Sequence, residues 1–312
     1  MFTVLAGGVG AARFLRGLTA AVPAEDVVAV VNVGDDLTHL GLRISPDLDS
    51  ITYRLAGVVH PQQQWGRADE QFVVAHELAR LGHDAWFRLG DRDLAVHLYR
   101  TSRLREGVPL SAVTAEVTRA FGVGIRLLPA TDDPVETRIV TTDGRDLHFQ
   151  EYWVRDHAQP QVASVRLHGA ERAEPAPGVV ECLLDADAVL VAPSNPVVSI
   201  DTIMAIPGVG AALRQTTAPV VGVSPIVGGR VVRGMADRLL PVVGAEVSAA
   251  GVARHYGDLL DGWVVDHADA DAVAGVEATG VRCVATDTMM DDVEVAAALA
   301  RTCIEVAAGI VG

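Results

Sequence analysis

The amino-acid sequence predicts an α/β fold: a mostly parallel sheet with helices on both faces and a helical insertion. A short apolar run at residues 3–6 is followed by glycines, and then by apolar residues at helical spacing through residue 18. The β-branched run at residues 27–31 is typical of a buried parallel strand. Apolar runs at 188–192 and 220–223 each end in small polar residues and proline, as the first strand ends in glycines. We therefore predict a Rossmann-like sheet.

The first turn carries Gly7, Gly8 and Gly10 between the predicted strand and helix. Amide groups and the positive end of the helix dipole favour a phosphate there, and glycines let the backbone approach it. A plain turn without a ligand is the alternative, but three glycines in four positions favour an anion site. Arg13 stands where a dinucleotide fingerprint has its third glycine, and no Lys-Ser or Lys-Thr pair follows. These departures disfavour a nicotinamide enzyme and a Walker loop.

The rest of the chain divides into a core and an insertion. Residues 32–50 form a long loop at the carboxyl end of the second strand, where open α/β sheets place their ligands. Residues 58–121 show helical spacing, and Asp143-Gly144 predicts a hairpin between 138–142 and 147–151. Runs at 243–252, 263–266 and 281–285 complete the predicted strands, before an amphipathic helix at 293–307. We predict an α/β core over 1–57 and 125–312, and a helical insertion over 58–124 that covers the mouth of the sheet.

Composition excludes several classes of protein. The 312 residues carry a net charge of -15, which argues against nucleic acid as a partner. No apolar run reaches membrane-spanning length, so we expect a soluble protein without a membrane partner. The three cysteines, Cys182, Cys283 and Cys303, are far apart and odd in number, which suits a reducing cytoplasm and excludes a Cys-based metal cluster.

Asp47 and Asp49 are the strongest candidates for a metal site. They lie two positions apart, after a proline and before a helix, and Mg²⁺ prefers carboxylates together with water and phosphate oxygens. A helix cap is the alternative, because aspartate is a preferred N-cap residue.

Other polar residues follow predicted strands or begin predicted helices, and each has a structural alternative. The Asp35-Asp36 pair belongs either to a carboxylate site or to a solvated turn, and Asp91 and Asp93 either fix Arg92 toward phosphate or form a surface salt bridge. Ser194, Asn195 and Ser224 offer uncharged donors and acceptors at strand ends, or cap the next helices.

An ordered set of short motifs resembles the 2-phospho-L-lactate transferase family of coenzyme F-420 biosynthesis. Its actinobacterial members are called phosphoenolpyruvate transferases. No single motif is specific, but the order is, and the set runs from the first strand nearly to the C-terminus. The motifs occupy residues 5–15, 32–37, 45–49, 65–66, 89–93, 132–134, 148–150, 193–196 and 224–226.

The resemblance implies a reaction, a cofactor and an assembly. Family members transfer the phospho-acid part of a guanosine diphosphate, activated with lactate or enolpyruvate, to the terminal ribityl hydroxyl of the deazaflavin Fo, and release GMP. They require Mg²⁺ and are typically homodimers with a Rossmann-like core and a helical insertion. Such chemistry depends mainly on positioning and charge stabilisation, so a glycine loop, carboxylate-bound metal and a fixed arginine suffice.

The resemblance also implies roles for individual residues. Asp49 matches the Fo-binding aspartate of the family, and Arg88 falls where its second Fo contact lies. We expect Asp49 to bind Mg²⁺, to orient the attacking hydroxyl, or both, with Asp47 as a second catalytic and metal-binding residue. The guanosine diphosphate is assigned to Gly7, Gly8, Gly10, Asn32, Ser194 and Asn195.

Two other functions stay open at this point. A nucleotidyl or nucleotide-sugar transferase would keep the glycine loop and the metal but need no flavin pocket, and a nucleotide-sensing regulatory protein would show no metal-dependent turnover. No motif distinguishes a lactyl from an enolpyruvyl donor. A composition rich in Ala, Val, Arg and Gly is typical of GC-rich actinobacteria and favours enolpyruvyl.

Overall fold

A seven-stranded parallel sheet forms the centre of the protein. The structure is a computed structural model that describes residues 1–83 and 86–311. Residues 84 and 85 of the predicted insertion, and residue 312 of the predicted core, lie outside the described residues. The strands are β1 (Phe2–Ala6), β2 (Val27–Val31), β3 (Leu37–His39), β4 (Leu42–Ile44), β5 (Arg126–Pro129), β6 (Glu136–Thr141), β7 (Asp146–His148), β8 (Val162–His168), β9 (Ala188–Val191), β10 (Val220–Val223), β11 (Ile226–Val227), β12 (Arg230–Val231), β13 (Gly262–Asp266) and β14 (Arg282–Thr286).

The strand order of the central sheet is β14-β13-β10-β9-β1-β2-β5, and every neighbouring pair is parallel. The chain builds outward from β1 in one direction and then, from β9 onward, in the other. The order therefore reverses between β1 and β9, and the crevice beyond their carboxyl ends is where such sheets bind ligands. All five residues of β2 are buried, as expected of a strand covered on both faces.

Helices surround this sheet, which confirms the predicted Rossmann-like α/β fold. They are α1 (Gly8–Ala21), α2 (Pro46–Leu55), α3 (Val73–Arg80), α4 (Asp91–Arg105), α5 (Leu110–Ala120), α6 (Val179–Leu184), α7 (Asp201–Met204), α8 (Pro207–Gln215), α9 (Ala236–Leu239), α10 (Ala249–Tyr256), α11 (Val273–Glu277) and α12 (Val293–Val311). Helix α1 packs against α2 and α12. A Cβ atom on Gly17 would lie 2.3 Å from the carbonyl carbon of Ala296, so glycine permits this close packing of α1 on α12.

Several predicted elements differ from the observed ones. The predicted loop 32–50 contains the β3-β4 hairpin. The run 243–252 is not a strand, because Ser248 caps α10 by accepting a hydrogen bond from the Gly251 amide at 2.9 Å. The 138–151 hairpin is confirmed, but β7 ends at His148, and β8 adds a third strand that the sequence pattern did not reveal. Helices α3, α4 and α5 lie within 58–124, whereas the division into core and insertion stays a prediction.

Within the described residues, no single helix is long and apolar enough to cross a membrane. One pair of helical segments, Pro196–Met204 and Pro207–Gln215, reaches that length and composition when the two are taken together, but an 83° bend separates them.

Candidate active site

A cavity of about 860 Å³ opens at the reversal point of the sheet. Its walls come from the loops after β1, β9 and β10, from the start of α2, and from the segment before α4. The glycines and polar residues on these walls include Gly7, Gly8, Gly10, Arg13, Asp35, Asp47, Asp49, Arg88, Asp93, His97, Gln150, Ser194, Asn195, Ser224 and Arg233. The fold therefore gathers most of the predicted site residues at one place.

The glycine turn presents the N-terminus of α1 to this cavity. Gly8 has a φ of +68°, which favours glycine. A Cβ atom on Gly7 would lie 2.6 Å from the Cβ atom of Ser199, and one on Gly10 would lie 2.2 Å from the carbonyl oxygen of Pro193. The glycines thus serve close packing as well as exposure of the helix amides. The amide of Gly7 donates to the Ser194 hydroxyl at 3.1 Å.

The polar residues after β9 and β10 line the cavity and also form local hydrogen bonds. Ser194 is buried and contacts the glycine turn. Asn195 caps the following helical segment, since its Oδ1 accepts from the Val197 amide at 3.0 Å and from the Val198 amide at 3.3 Å. The Ser224 hydroxyl closes its own turn, accepting from the Ile226 amide and donating to the Ile226 carbonyl. Asn195 and Ser224 therefore line the cavity and also stabilise their own turns.

Two buried carboxylates, Asp35 and Asp47, share one donor. The Nδ2 group of Asn32 donates to Asp35 at 3.1 Å and to Asp47 at 3.0 Å. Burial raises the pKa of Asp47 to about 6, against the opposing hydrogen bonds from Asn32 and the Gly8 amide. Burial, followed by the charge of Asp47, raises the pKa of Asp35 well above its ordinary value. Asn32 itself is fully buried behind the pair and does not line the cavity.

Asp49 lies in a different environment, paired with a buried arginine. Arg100 on α4 donates to both carboxylate oxygens of Asp49, and its bond to Oδ2 measures 3.1 Å. The Nδ1 atom of His97 lies 3.7 Å from the same Oδ2 atom. Burial lowers the pKa of His97 to about 4, so the imidazole is neutral at physiological pH. Asp49 is thus held in a fixed orientation by an ion pair, at the edge of the cavity.

Asp93, in the first turn of α4, is the fourth carboxylate that lines the cavity. It accepts a hydrogen bond from the Tyr53 hydroxyl at 2.6 Å. Burial, and then the charge of Asp49, raises the pKa of Asp93 to about 7. A carboxyl group with a pKa near 7 is suited to accept a proton at physiological pH.

Besides Asn32, three sequence candidates do not line the cavity. Asp36 is fully buried and accepts from the Ser45 hydroxyl at 2.6 Å, so a solvated turn is the wrong interpretation of that residue. Asp91 accepts from the amides of Val73 and Val74, each at 3.1 Å, and so caps α3. Arg92 is exposed and forms no salt bridge within the described residues.

Four aromatic residues also line the cavity, and together they are called the aromatic wall. They are Trp86, Phe87, Phe149 and Trp153. Arg88 is exposed beside it, with its guanidinium carbon 4.0 Å from the ring centroid of Phe72. Such a wall offers a stacking surface for a flat aromatic ligand.

The carboxylates around the cavity differ in how well they could bind Mg²⁺. Over residues 1–83 and 86–311, no group of three or more His, Cys, Asp or Glu side chains could hold a metal ion. Mg²⁺ does not need such a group, because it commonly binds one or two carboxylates plus phosphate oxygens and water. The Asp35–Asp47 pair fits that pattern, since a divalent cation would relieve the repulsion between two buried carboxylates. Asp49 fits it less well, because both of its oxygens accept hydrogen bonds from Arg100.

Sequence reasoning missed Arg100 as a site residue, and it considered Asp35 and Asp93 only together with their neighbours Asp36 and Asp91. Asp35 follows the same strand as Asn32, and its position at the carboxyl end of β2 was the available signal. His97 and Arg100 stand three positions apart on α4, which places them on one helix face. Their meeting with Asp49 joins residues 51 positions apart, and no local pattern reports that contact.

Comparisons with known proteins show the family of this chain. The family model for 2-phospho-L-lactate transferase CofD matches residues 2–303. A phosphoenolpyruvate transferase of Streptomyces griseus is 53% identical over 309 residues, covering 97% of each chain. One of Thermobifida fusca is 50% identical over 317 residues, again covering 97% of each chain.

A solved structure supports the fold alone. A UPF0052 family member from Bacillus halodurans superposes with a TM-score of 0.65 at 17% identity, covering 97% of this chain and 98% of that one. Sequence and fold thus agree over nearly the whole length of the protein. The chain therefore belongs to the 2-phospho-L-lactate transferase CofD family, whose members are transferases of coenzyme F-420 biosynthesis.

Proposed function

We propose that this protein transfers the phosphoenolpyruvyl group from a guanosine-diphosphate-activated donor to the terminal ribityl hydroxyl of Fo, with Mg²⁺, and releases GMP. The single observation that carries the proposal is the cavity itself. It joins a helix N-terminus, a pair of buried carboxylates and an aromatic wall within about 860 Å³. These are the features needed for a diphosphate, a magnesium ion and a flavin-like ring.

The donor diphosphate belongs at the N-terminus of α1. The first amides of the helix have no partner within the helix, and the dipole favours negative charge there. Gly7 and Gly8 bring the backbone to the cavity surface, and Ser194 holds the Gly7 amide in place. Asn195 and Gly10 line the same end of the cavity.

Asp47 and Asp35 would hold the magnesium ion beside this helix terminus. When bound, Mg²⁺ supplies charge stabilisation for the phosphoryl oxygens. Asn32 keeps the two carboxylates together through its Nδ2 group, so we assign Asn32 a positioning role instead of a direct contact with nucleotide.

The acceptor belongs at the aromatic residues of the cavity. The deazaflavin ring stacks on the aromatic residues around Trp86 and Trp153, with Arg88 at their edge. Each oxygen of Asp49 retains a further lone pair beyond its bond to Arg100 and can accept a hydrogen bond from the ribityl hydroxyl next to the attacking one. Asp93, with a pKa of about 7, takes the proton of the attacking hydroxyl.

The proposed transfer is a direct displacement at phosphorus and needs no covalent enzyme intermediate. The ribityl oxygen forms a bond to the phosphorus that carries the acid, while the bond from that phosphorus to the bridging oxygen breaks. GMP leaves with the bridging oxygen, and Asp93 takes the hydroxyl proton. The names of the relatives from Streptomyces griseus and Thermobifida fusca support the enolpyruvyl donor over the lactyl one.

Turnover of the purified protein tests the proposal. We would supply Fo, Mg²⁺ and each of the two activated guanosine diphosphates, and follow GMP release together with the mass of the flavin product. We expect the enolpyruvyl adduct, a loss of at least about 100-fold in rate for Asp47→Asn, and unchanged rate for the exposed control Glu77→Gln on α3. Absence of GMP release with both donors would overturn the proposal.

A homodimer and a cytoplasmic location complete the proposed function. Family membership supports both, because the resemblance noted above implies a dimeric enzyme that acts on small molecules. Light scattering of the purified protein measures the assembly, and a monomer at micromolar concentration would contradict the dimer.

A further inference from the structure

Three arginines from separate segments meet at one side of the cavity. Arg13 lies on α1, Arg54 lies near the end of α2, and Arg233 follows β12. Arg13 and Arg233 line the cavity, and Arg54 lies behind them. We call these three residues the arginine cluster.

The arginine cluster makes its hydrogen bonds to neutral oxygens. The side-chain Oε1 of Gln64 accepts from Arg13 at 3.2 Å and from Arg54 at 2.8 Å. The Gln64 carbonyl accepts from Arg54 at 3.2 Å, and the Gln63 carbonyl accepts from Arg233 at 3.1 Å. In the part of the chain that the structure describes, none of the three arginines forms a salt bridge.

The arginine cluster is electrostatically unfavourable in the free protein. Arg54 is 7% exposed, and its buried Nε has no hydrogen-bond partner among the described residues. Burial, followed by the charges of Arg13, Arg16 and Arg233, lowers the pKa of Arg54 to about 10. The chain has a net charge of -15 and therefore many carboxylates, yet among the described residues none forms a salt bridge with these arginines. An anionic ligand would supply the missing charge.

Arg13 lies further along α1 than the helix terminus assigned to the diphosphate. Arg13 stands five residues after Gly8, which corresponds to about 7.5 Å along a helix axis. An extended donor with several anionic groups can contact both places. Guanidinium groups bind carboxylates and phosphates through paired hydrogen bonds, and among the described residues Arg13 and Arg233 retain donors that no protein atom takes up.

We propose that the arginine cluster is a binding subsite for an outer oxyanion of the donor. That oxyanion is either the carboxylate of the three-carbon acid or the phosphate that carries it. The assignment rests on the proposed function, because it takes the activated guanosine diphosphate as the ligand. Arg13 and Arg233 contact the oxyanion directly, and Arg54 is a positioning residue that acts through Gln64.

Binding measurements with two probes test the subsite. GDP and the enolpyruvyl donor would each be titrated by calorimetry without Fo, so that no turnover occurs, into the wild type, Arg13→Gln and Arg233→Gln. We expect both variants to bind the donor about 10- to 100-fold more weakly. Unchanged GDP affinity would identify the carboxylate as the ligand, and an equal loss for GDP would identify the phosphate. Arg301→Gln, an exposed control on α12 that does not line the cavity, should bind both probes within about threefold of the wild type.

Thermal melts of the free variants separate binding from folding. Because the arginines repel one another, Arg13→Gln should melt at or above the wild-type temperature while losing the shift that the donor induces. Variants that bind the donor as tightly as the wild type would overturn the subsite and leave the proposed function intact. A wild type that binds neither donor nor GDP would instead overturn the proposed function, and the subsite with it.

Discussion

At the scale of single residues, the Asp35–Asp47 pair is unfavourable in the free protein when both groups are charged. Two buried carboxylates held by one amide group repel each other unless a proton or a cation lies between them. Burial is the main cause of the raised pKa of each group, and the charge of Asp47 adds to it at Asp35. Among the described residues no cation forms a salt bridge with either carboxylate, which supports the divalent cation that we propose there.

Substituting Asp47 should therefore stabilise the protein in a pH-dependent way. The folded-state pKa of about 6 exceeds the ordinary value of 3.8, so the folded protein holds a proton that the unfolded chain releases between these values. Stability falls as pH rises through this range, and the full cost is present above about pH 6. We expect Asp47→Asn to gain roughly 1 to 3 kcal/mol at pH 8 and little at pH 4, measured by urea unfolding.

The same profile can contradict this interpretation. Wild type and Asp47→Asn with parallel stability curves from pH 4 to pH 8 would show that the pair carries no unfavourable charge. Addition of Mg²⁺ gives a second readout, since it should raise the melting temperature of the wild type and leave that of Asp47→Asn unchanged.

Gly10 provides a prediction about packing. A Cβ atom there would lie 2.2 Å from the carbonyl oxygen of Pro193, so the loop after β9 must move to accommodate it. We expect Gly10→Ala to cost roughly 1 to 3 kcal/mol of unfolding free energy, as for other overpacked sites. Gly275→Ala on α11 is the matched control, because its Cβ atom would meet nothing within 4 Å, and helix propensity predicts a gain of up to about 1 kcal/mol. Equal effects of the two substitutions would rule out the packing argument.

At the scale of secondary structure elements, α3 and α4 cap each other. Asp91 at the start of α4 accepts from the amides of Val73 and Val74 in α3. Glu70 ahead of α3 accepts in return from the amides of Arg92 and Asp93, at 2.8 and 2.9 Å. This reciprocal arrangement explains the charged turn before α4, and it fixes the position of Asp93 on the cavity wall.

Loss of one cap should loosen α3 locally. We expect Asp91→Ala to cost about 1 kcal/mol, the usual value for an N-cap, and to speed hydrogen exchange in the first turn of α3. Glu77→Ala, on the exposed face of the same helix, is the control and should change stability by no more than about 0.5 kcal/mol. Unchanged exchange at Val74 in Asp91→Ala would contradict the capping role.

At the scale of the whole molecule, the cavity joins segments from most of the chain. Its walls include the turn after β1, the start of α2, the segment before α4 and the loops after β9, β10 and β14. A ligand that contacts all of them stabilises the folded state by mass action, by about 2.7 kcal/mol at a concentration of 100 Kd. We expect GDP with Mg²⁺ to raise the melting temperature by several degrees, and more than either alone, in a thermal shift assay.

A matched variant makes that assay decisive. Asp47→Asn should retain the shift that GDP alone induces and lose the extra shift due to Mg²⁺. A wild type whose melting temperature responds to GDP but not to Mg²⁺ would separate nucleotide binding from the proposed metal site.

The sequence by itself determined the features that depend on near neighbours along the chain. The apolar run, the glycines and the helical spacing of residues 3–18 predicted β1 and α1, and the β-branched run predicted β2 with its observed bounds. The order of short motifs identified the family. Local patterns failed at residues 243–252, where an apolar run became a capped helix, because periodicity in a short run does not separate strand from helix.

Only the tertiary structure decided which side chains meet. Asp49 pairs with Arg100 across 51 positions, and Asp47 shares Asn32 with Asp35. Arg13, Arg54 and Arg233 come together from three separate segments. Burial, charge and pKa depend on distances through space, and a sequence records only distances along the chain. Several residues that line the cavity were therefore predicted from the sequence, whereas the residues that contact each of them required the fold.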